Sequence, residues 1–532
     1  MRKQREPTFI DRCIATISPE RALRREVARQ KLEILNTGYS HHGASRVKKS
    51  MVAWPDFGGS PDDDITLNLE TLRNRSRDLY MGNPIAAGAL KTDRTNVVGS
   101  GLQLNPQIDA SFLGLSDDQA DQWERDVRRE FKLWANNKNC DAARMCDFYQ
   151  LQQLTFLSAL MSGDVFVALP VIPRAMSVYD LRVQVIEADR ICNPYNIPEL
   201  PPIMAGIETG EYGEPIAYHI AKYHPLSLLN TKVNEWTRVL AFGPKTGRRN
   251  VLHLLDMERA GQRRGVPMLS PVIEPLKQLG RYSDAELMAA VVSGLFTAAI
   301  TTPEGDAGDL GEEELPGIVT GTSDADKQDD IKLGNGTVIA LAPGEKLETV
   351  NPGRPNASFD PFVLAVLRQI GAALEIPMKI LIKHFTASYS ASRAALLEAW
   401  KFFRRQRDWL ASDFCQPIYE EWLSEAVARG RISAPGFFAS LAVRAAYCGA
   451  EWNGPSQGQI DPEKEANAAV IRVQNCFSTR AKETAELTGG DFDQNYRQRV
   501  REEKMMREGG LIVEKVAPTN KPNPDGNQQN EQ

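Results

Sequence analysis

The sequence predicts an α+β protein in which long helices flank a β-rich block, on three observations. Apolar residues recur three or four apart over 67–98, 359–375 and 393–429, the spacing of one helix face. Residues 164–260 instead break into short β-branched segments separated by Pro and Gly. Residues 303–356 form an acidic, Gly-rich stretch between two helical segments.

Taken in order, residues 1–60 are a polar, basic arm. Over 67–98, Leu69, Leu72, Leu79, Ile85, Ala89 and Leu90 give a helix that Asn83-Pro84 kinks or restarts. VVGSGLQLNP reads as a turn into a strand. Ser116 N-caps an amphipathic helix over 116–135, and Gly163 closes another over 148–162. The β-rich block supplies DVFVALPVI, DLRVQVIE, GIETG, EPIAYHIAKY and NVLHLLD as strand-like segments. Pro267 and Pro271 open a helix over 269–296. Ten acidic residues then stand against one basic residue, Lys327, over 304–330, before a strand pair, GTVIALAPGE and KLETVNPG.

Pro377 ends the helix over 359–375, because its ring clashes with the preceding turn and it has no N–H. A Lys-, Ser- and Tyr-rich loop spans 378–390, with Ser388, Ser390 and Ser392 offering N-caps for the helix beyond it. That helix, over 393–429, would be about 55 Å long. It carries Leu396, Trp400, Phe403, Leu410, Phe414, Ile418 and Trp422, and so long an aromatic stripe suggests a part of an assembly. Short helices fill 431–508, and the Pro/Asn/Gln-rich end has the composition of a disordered tail.

Hydrophobic content of 42% allows a sizeable core, and 532 residues suggest about three to four domains. The net charge of −6 is uneven. Residues 1–50 hold twelve Lys/Arg against five Asp/Glu, a balance of +7 that leaves −13 for the remainder. A basic arm on an acidic body suits contact with a polyanion, and equally a solvated N-terminus. The seven cysteines include no CxxC, so neither a zinc knuckle nor a redox motif is implied. The longest apolar uncharged run, 287–303, is too short and too rich in Ser, Thr and Gly for a membrane span. No GxxxxGK[ST], GxSxG or HExxH motif occurs, and no GxGxxG comes after a strand. His219, His224 and His253 lie on or beside strands, where a lone imidazole is usually a satisfied structural group. The acidic run 304–330 reads as solvated repulsion ahead of cation binding. No cofactor and no metal are implied.

Four segments, the last of them in two pieces, carry a resemblance in this order. LETLRNRSRDLYMGNPIAAGALKTDRTNVVGSGLQLNP joins an Arg-Asp helix, an Asn-Pro and a VVGSG turn. ERAGQRRGVPMLSPVIEPLKQLGRYSDAELMAA leads into a helix, and EIPMKILIKHFTASYSASRAALLEAW forms a loop–helix junction. EWNGPSQGQIDPEKEANAAV and GGDFDQNYRQRVREE lie in the C-terminal part. Over roughly 60–508 the chain resembles the lambda-type portal proteins, the head–tail connectors of tailed bacteriophages.

The resemblance implies a ring of about twelve subunits at one capsid vertex, through which DNA is packaged and ejected. Beyond the basic arm at 1–60, which composition marks, it implies a wing at 61–266 and a first stem helix at 267–296. A clip with the acidic insert would occupy 297–356, a second stem helix 357–376 and a tunnel loop 377–391. A long wing helix would come next at 392–430, then C-terminal wing and crown helices at 431–508 and a tail at 509–532. Implied partners are further copies of the chain, double-stranded DNA, the terminase large subunit, major capsid and scaffold proteins, and head-completion or tail adaptors. The implied location is the virion, with the host cytoplasm during assembly, no membrane and no enzymatic activity.

Simple geometry is consistent with a conduit. Helices set side by side at about 10 Å in a ring of about twelve have axes on a circle about 38 Å across. Subtracting helix radii leaves a hole of about 28 Å, wide enough for a duplex. An acidic body suits a sliding polyanion, because tight phosphate binding would stall it. In the tunnel loop, Lys379, Lys383, His384, Ser388 and Tyr389 are candidates to face DNA, set against a reading as solvated loop residues. Lys277 and Arg281 are candidates on the first stem helix, and Glu312, Glu313 and Glu314 for contact with a partner at the clip. Arg404, Arg405 and Arg407 suit a solvated or intersubunit face ahead of DNA, while Trp400 and Phe403 suit the core. Two other function classes remain open at this point. One is an oligomeric hydrolase using scattered carboxylates; the other is a nucleic-acid-binding module without a channel.

Overall fold

The computed structural model describes residues 58–229, 234–295, 299–301, 346–348, 358–384, 389–458 and 461–511. Nearly all of the basic arm, most of the acidic insert with Glu312, Glu313 and Glu314, the GTVIALAPGE strand, Ser388 and residues 512–532 lie outside these. The chain divides into two compact units, Met1–Asp64 and Ile65–Gln532. The second is a mixed helix-and-sheet structure.

It opens with α1 (Leu69–Gly82) and α2 (Pro84–Val97). Asn83 separates them as an extended N-cap whose Oδ1 accepts the Ile85 and Ala86 N–H groups at 3.0 and 3.1 Å, with Pro84 preset for the first helical turn. The VVGSG turn then delivers β1 (Gln103–Pro106). Gly101 has φ +114° and passes Tyr149 so closely that a Cβ would sit 2.5 Å from it, so no other residue fits there.

Helix α3 (Asp117–Ala135) starts at a Ser116–Gln119 capping box, and α4 (Phe148–Ser162) at an Asp147–Gln150 box. Next, β2 (Asp164–Ala168) and β3 (Gln184–Ile186) lead to β4 (Ile203–Met204), β5 (Ile207–Thr209), β6 (Pro215–Ala221), β7 (Trp236–Leu240) and β8 (Val251–Leu255). These form two antiparallel sheets, ordered β3-β2-β8 and β4-β5-β6-β7. The five expected segments all hold strands. Strands β4 and β7 were not expected: β4 has two residues, and β7 lies largely at the surface with Arg238 exposed, so neither shows a buried apolar period.

Helix α5 (Ile273–Leu295) precedes β9 (Ala299–Thr301), which pairs antiparallel with β10 (Lys346–Glu348). Among the described residues the KLE segment pairs with β9; the GTVIALAPGE segment suggested as its partner lies outside them. Next come helix α6 (Phe359–Ala373) and a single turn, α7 (Met378–Leu381). The expected loop 378–390 is thus partly helical, and α8 (Tyr389–Leu410) already begins at Tyr389.

The long helix expected over 393–429 is not one regular helix. A π-turn at Ala411–Cys415 separates α8 from α9 (Gln416–Ala428). Pro417 is the physical reason: it has no N–H for the carbonyl four residues back and its ring crowds that turn, so the backbone widens there. The stripe packs inside the chain, as expected for Trp400 and Phe403, and the rest of it does so too where its length suggested a part in an assembly. Trp400, Phe403, Phe414 and Trp422 are buried within the chain. Phe414 stacks on Phe148 at 5.7 Å, and Trp422 meets Phe131 edge-on at 5.0 Å. The stripe builds this chain's own core.

After α10 (Leu441–Tyr447) comes β11 (Ala450–Asn453), an unexpected strand that pairs antiparallel with β1, Leu104 opposite Trp452. A strand over 300 residues away completes a two-stranded sheet on the main core. Helices α11 (Pro462–Gln474), α12 (Arg480–Thr488) and α13 (Phe492–Glu508) end the described chain. Among the described residues no helix is long and apolar enough to cross a membrane.

Candidate nucleic-acid interface

The junction between α6 and α8 is anchored at both sides of its turn. Leu374, Ile376, Ile380 and Leu381 are buried in the main core, against the face that includes Phe402 and Phe403. Between the first two, Glu375 adopts φ +55°, and the Ile376 N–H reaches back to the Gly371 carbonyl at 2.9 Å. Gly371 permits this closure, since a Cβ there would lie 2.6 Å from the Ile376 oxygen. Pro377 then starts α7, whose Ile380 N–H donates to the Pro377 carbonyl at 2.8 Å.

Lys383 comes directly after these anchors, with φ +54° and an exposed side chain. His384 is also exposed, its N–H donating to the Lys379 carbonyl at 3.0 Å, while Lys379 is half-buried on the turn. Tyr389 is the first residue of α8. Two cationic or titratable groups therefore project from a backbone held by four buried apolar side chains. The buried Ile380–Leu381 pair, two residues before Lys383, is the sequence signal that this stretch is not a simple loop.

On α5, Leu276 and Leu279 are buried and Tyr282 stacks on Phe359 (5.5 Å) and meets Phe362 edge-on (4.9 Å), joining α5 to α6. Lys277 and Arg281 are exposed. At about 100° per residue they share one sector with Met288 and Val291. Leu287, Met288 and Val291 are 65%, 60% and 50% exposed, an apolar stripe that nothing in this chain covers among the described residues.

Arg404, Arg405 and Arg407 do not act as a set. Arg404 faces Glu486 at 3.7 Å, and Arg405 lies 3.5 Å from Asp256 and 3.9 Å from Glu375. Arg407 donates to the carbonyls of Asn96 (3.0 Å), Val97 (3.2 Å) and Pro455 (2.8 Å) and lies over the Trp400 ring. It ties α8 to the VVGSG turn and the C-terminal region, and burial brings its guanidinium down to about 10. It acts as a strut within the chain.

A buried ion network unites two of the motif stretches. Asp164 at the start of β2 accepts from Arg73 Nη2 on α1 at 2.6 Å and from Arg264 Nε at 2.6 Å. It also accepts the Gly265 N–H at 3.2 Å, and His253 Nε2 lies 3.3 Å away. Burial alone would raise this carboxyl; the Arg264 and Arg73 guanidinia outweigh it and hold it ionised, well below the usual carboxylate range. Burial lowers Arg73 to about 10, so it stays charged near neutrality, and burial likewise lowers His253, which stacks on Phe166 at 4.1 Å. Arg264 donates further to the carbonyls of Ala188, Ile191 and Ala205. Every strong donor in the cluster is spoken for, so it is a clamp between α1, the sheets and the approach to α5. Sequence reading missed it, because its members are scattered from α1 to the approach to α5.

Glu187, Asp189 and His224 place ligand-type atoms within 4.8 Å of one another. Arg77 Nη2 already donates to Asp189 and lies 3.4 Å from Glu187, supplying the positive charge a metal would otherwise bring.

A family model described as "Phage portal protein, lambda family" matches residues 48–407, more than half of the chain. The chain belongs to the lambda family of phage portal proteins. The match contains the clamp, α5, α6 and the junction bearing Lys383. Portal protein B of Escherichia phage lambda is 24% identical over 495 residues, covering 89% of this portal protein and 91% of that one. The portal protein of Escherichia phage N15 is 24% identical over 496 residues with the same coverage, and the probable portal protein of a Halomonas phage, phiHAP-1, 23% over 451 residues, covering 83% and 81%. Among solved structures, a chain from the "neck of native GTA particle computed with C12 symmetry" aligns at TM-score 0.37 and 13% identity, over 79% of this portal protein and 93% of that chain. A chain from the virion of the native gene transfer agent particle aligns at TM-score 0.38 and 12% identity with the same coverage. As a portal protein, this one is a structural component of a phage particle.

Proposed function

We propose that this portal protein closes into a ring of about twelve copies at one capsid vertex and forms the channel through which duplex DNA enters and leaves the head. Membership of the portal family carries this reading. The stripe of Leu287, Met288 and Val291 on α5, which none of the described residues covers, supports it, because a ring gives each copy of that helix a neighbour. In this reading, residues 61–266 form the wing, 267–296 and 357–376 the stem, and 297–356 the clip. Residues 377–391 form the tunnel loop, 392–430 the long wing helix and 431–508 the crown-side helices. Lys379, Lys383 and His384 approach DNA from the tunnel loop, with Ser388 and Tyr389 beyond them, and Lys277 and Arg281 from the stem. Glu312, Glu313 and Glu314 face a basic partner such as the terminase large subunit. Capsid, scaffold and head-completion or tail adaptor proteins complete the set of partners, and assembly takes place in the host cytoplasm.

Light scattering and electron microscopy of the full-length chain test the reading. The expected result is a particle many times 59.1 kDa with a central hole. A monomer at all concentrations, with capsid and scaffold proteins present as well, would overturn it.

A further inference from the structure

A cleft of about 270 Å³ lies between α3 and α13, remote in sequence from the tunnel loop and lined almost wholly by cations. Helix α3 contributes Arg125, Arg129 and Lys132, and α13 contributes Arg497. Arg128, in the same wall, is already used: it binds Asp491 at 2.8 Å and Asn105 at 2.5 Å. Asp491 in turn caps α13 by accepting the Asp493 and Gln494 N–H groups, so this pair fixes the two helices side by side. The other four charges are left facing the cleft, opposed by one lining carboxylate, Asp493.

Their local partners are weak or absent. Arg125 leans on Gln122 at 2.7 Å and on Asp121 at 3.8 Å, and Arg129 on Asp126 at 3.0 Å. These are exposed pairs within one helix, worth at most about 1 kcal/mol and easily exchanged for a better anion. Among the described residues no carboxylate lies within 4.0 Å of Lys132 or Arg497. Arg129 is 72% exposed. Positions 125, 129 and 132 fall on one side of α3 and span about 10 Å of its axis.

We propose that this cleft is a second DNA site, which holds the phosphate backbone of duplex DNA lying on the body of the protein outside the channel. A chain whose residues beyond the first fifty carry a net −13 has little reason to concentrate four cations in one concavity unless a polyanion visits it. Guanidinium groups pair with phosphate oxygens in a bidentate manner, and contacts to the phosphate backbone carry no sequence information, so binding is independent of sequence. The choice of DNA as the polyanion rests on the portal reading; the cleft itself does not depend on a ring.

A covalently closed circular duplex separates this site from the channel, because a circle has no end to thread through a closed ring. The full-length chain is titrated with such a circle between 50 and 200 mM salt, beside the double variant Arg129→Glu/Arg497→Glu and the control Arg129→Lys/Arg497→Lys. The expected loss for the Glu pair is about tenfold or more at low salt, with a log–log salt slope shallower by about two; the Lys pair binds like the parent. Particle mass is measured on each variant. Should the Glu pair misassemble, Arg129→Gln/Arg497→Gln is read in its place, with a smaller loss in the same direction. Equal binding of the circle by the parent and these variants overturns the second site, whether or not a ring forms. Tighter binding of polyglutamate than of DNA, with the same loss in the variants, also overturns it and makes the cleft a protein-docking surface. A failure of the ring, by contrast, appears in the mass and the images and leaves the circle titration readable.

Discussion

Gly163 and Gly265 cross backbone to backbone: a Cβ on Gly163 would lie 2.3 Å from the Gly265 carbonyl oxygen, and one on Gly265 would lie 2.0 Å from that of Gly163. Gly163 closes α4 with φ +90°, and Gly265 comes directly after the clamp residue Arg264. The contact brings the end of α4 against the segment that leads into α5. Gly163→Ala is therefore expected to destabilise the protein by about 2–4 kcal/mol through clash and backbone strain together. Gly265→Ala should cost a similar amount from the clash alone. A thermal melt or urea titration measures both. A change below about 0.5 kcal/mol in either would mean that the two chains can part without loss.

Asp164 sets the stability of the clamp. Asp164→Asn removes the charge that two buried guanidinia require and should cost about 3–5 kcal/mol. Its pH signature comes from its depressed titration. The stabilisation is complete above the carboxylate range of the unfolded chain, near pH 4, and is lost as pH falls below it towards the folded value. The melting temperature of the parent should therefore drop more steeply than that of the variant between about pH 5 and pH 2.5. Parallel curves would place the ion pair's contribution near zero.

Asp93 should behave with the opposite sign. It is fully buried on α2, neither carboxylate oxygen has a hydrogen-bond partner, and burial pushes its carboxyl well above the usual range. A raised acid binds its proton more tightly in the folded state, so stability is greatest at low pH and falls as pH rises above about 4 towards the folded value. Asp93→Asn should be near neutral at pH 5 and stabilising by about 1–3 kcal/mol at pH 8. Chemical denaturation at the two pH values decides the matter. No gain at pH 8 would show that a partner reaches this carboxylate.

Lys383 tests the tunnel loop. Its side chain is exposed and its backbone sits beyond the buried Ile380–Leu381 anchor, so truncation leaves the fold alone. Lys383→Ala should assemble like the parent and retain packaged DNA less well, with the larger defect at low salt, where each lost phosphate contact matters most. Lys383→Glu should retain it worse still, because repulsion adds to the loss. Retention by both variants equal to the parent at every salt concentration would place Lys383 away from the duplex.

Much of this protein was legible in the chain. The helices, the break at Asn83-Pro84, the Ser116 cap, the Gly163 stop and the five strand segments rest on interactions between near neighbours in sequence, which periodicity, caps and turn residues report directly. The ordered motifs also pointed to the family, because the segments around Arg73 and Arg264 are written contiguously even though their purpose is not. Pro417 was equally visible, and its consequence, the π-turn at Ala411–Cys415, stems from the missing N–H; the regular aromatic spacing on either side concealed it.

The tertiary structure alone decided what pairs across distance. Strand β11 is too short to announce itself and exists because β1 lies opposite it; Arg407 reads as a surface cation until three carbonyls converge on it. The same holds for the aromatic stripe of α8 and α9. Periodicity states that one helix face is apolar but not what covers it, and the cover proved to be Phe131, Trp134 and Phe148 of the same chain. The Asp164 clamp is the extreme case. The sign and strength of a buried charge pair depend on separation and dielectric, and both are properties of the packed molecule, not of any stretch of sequence.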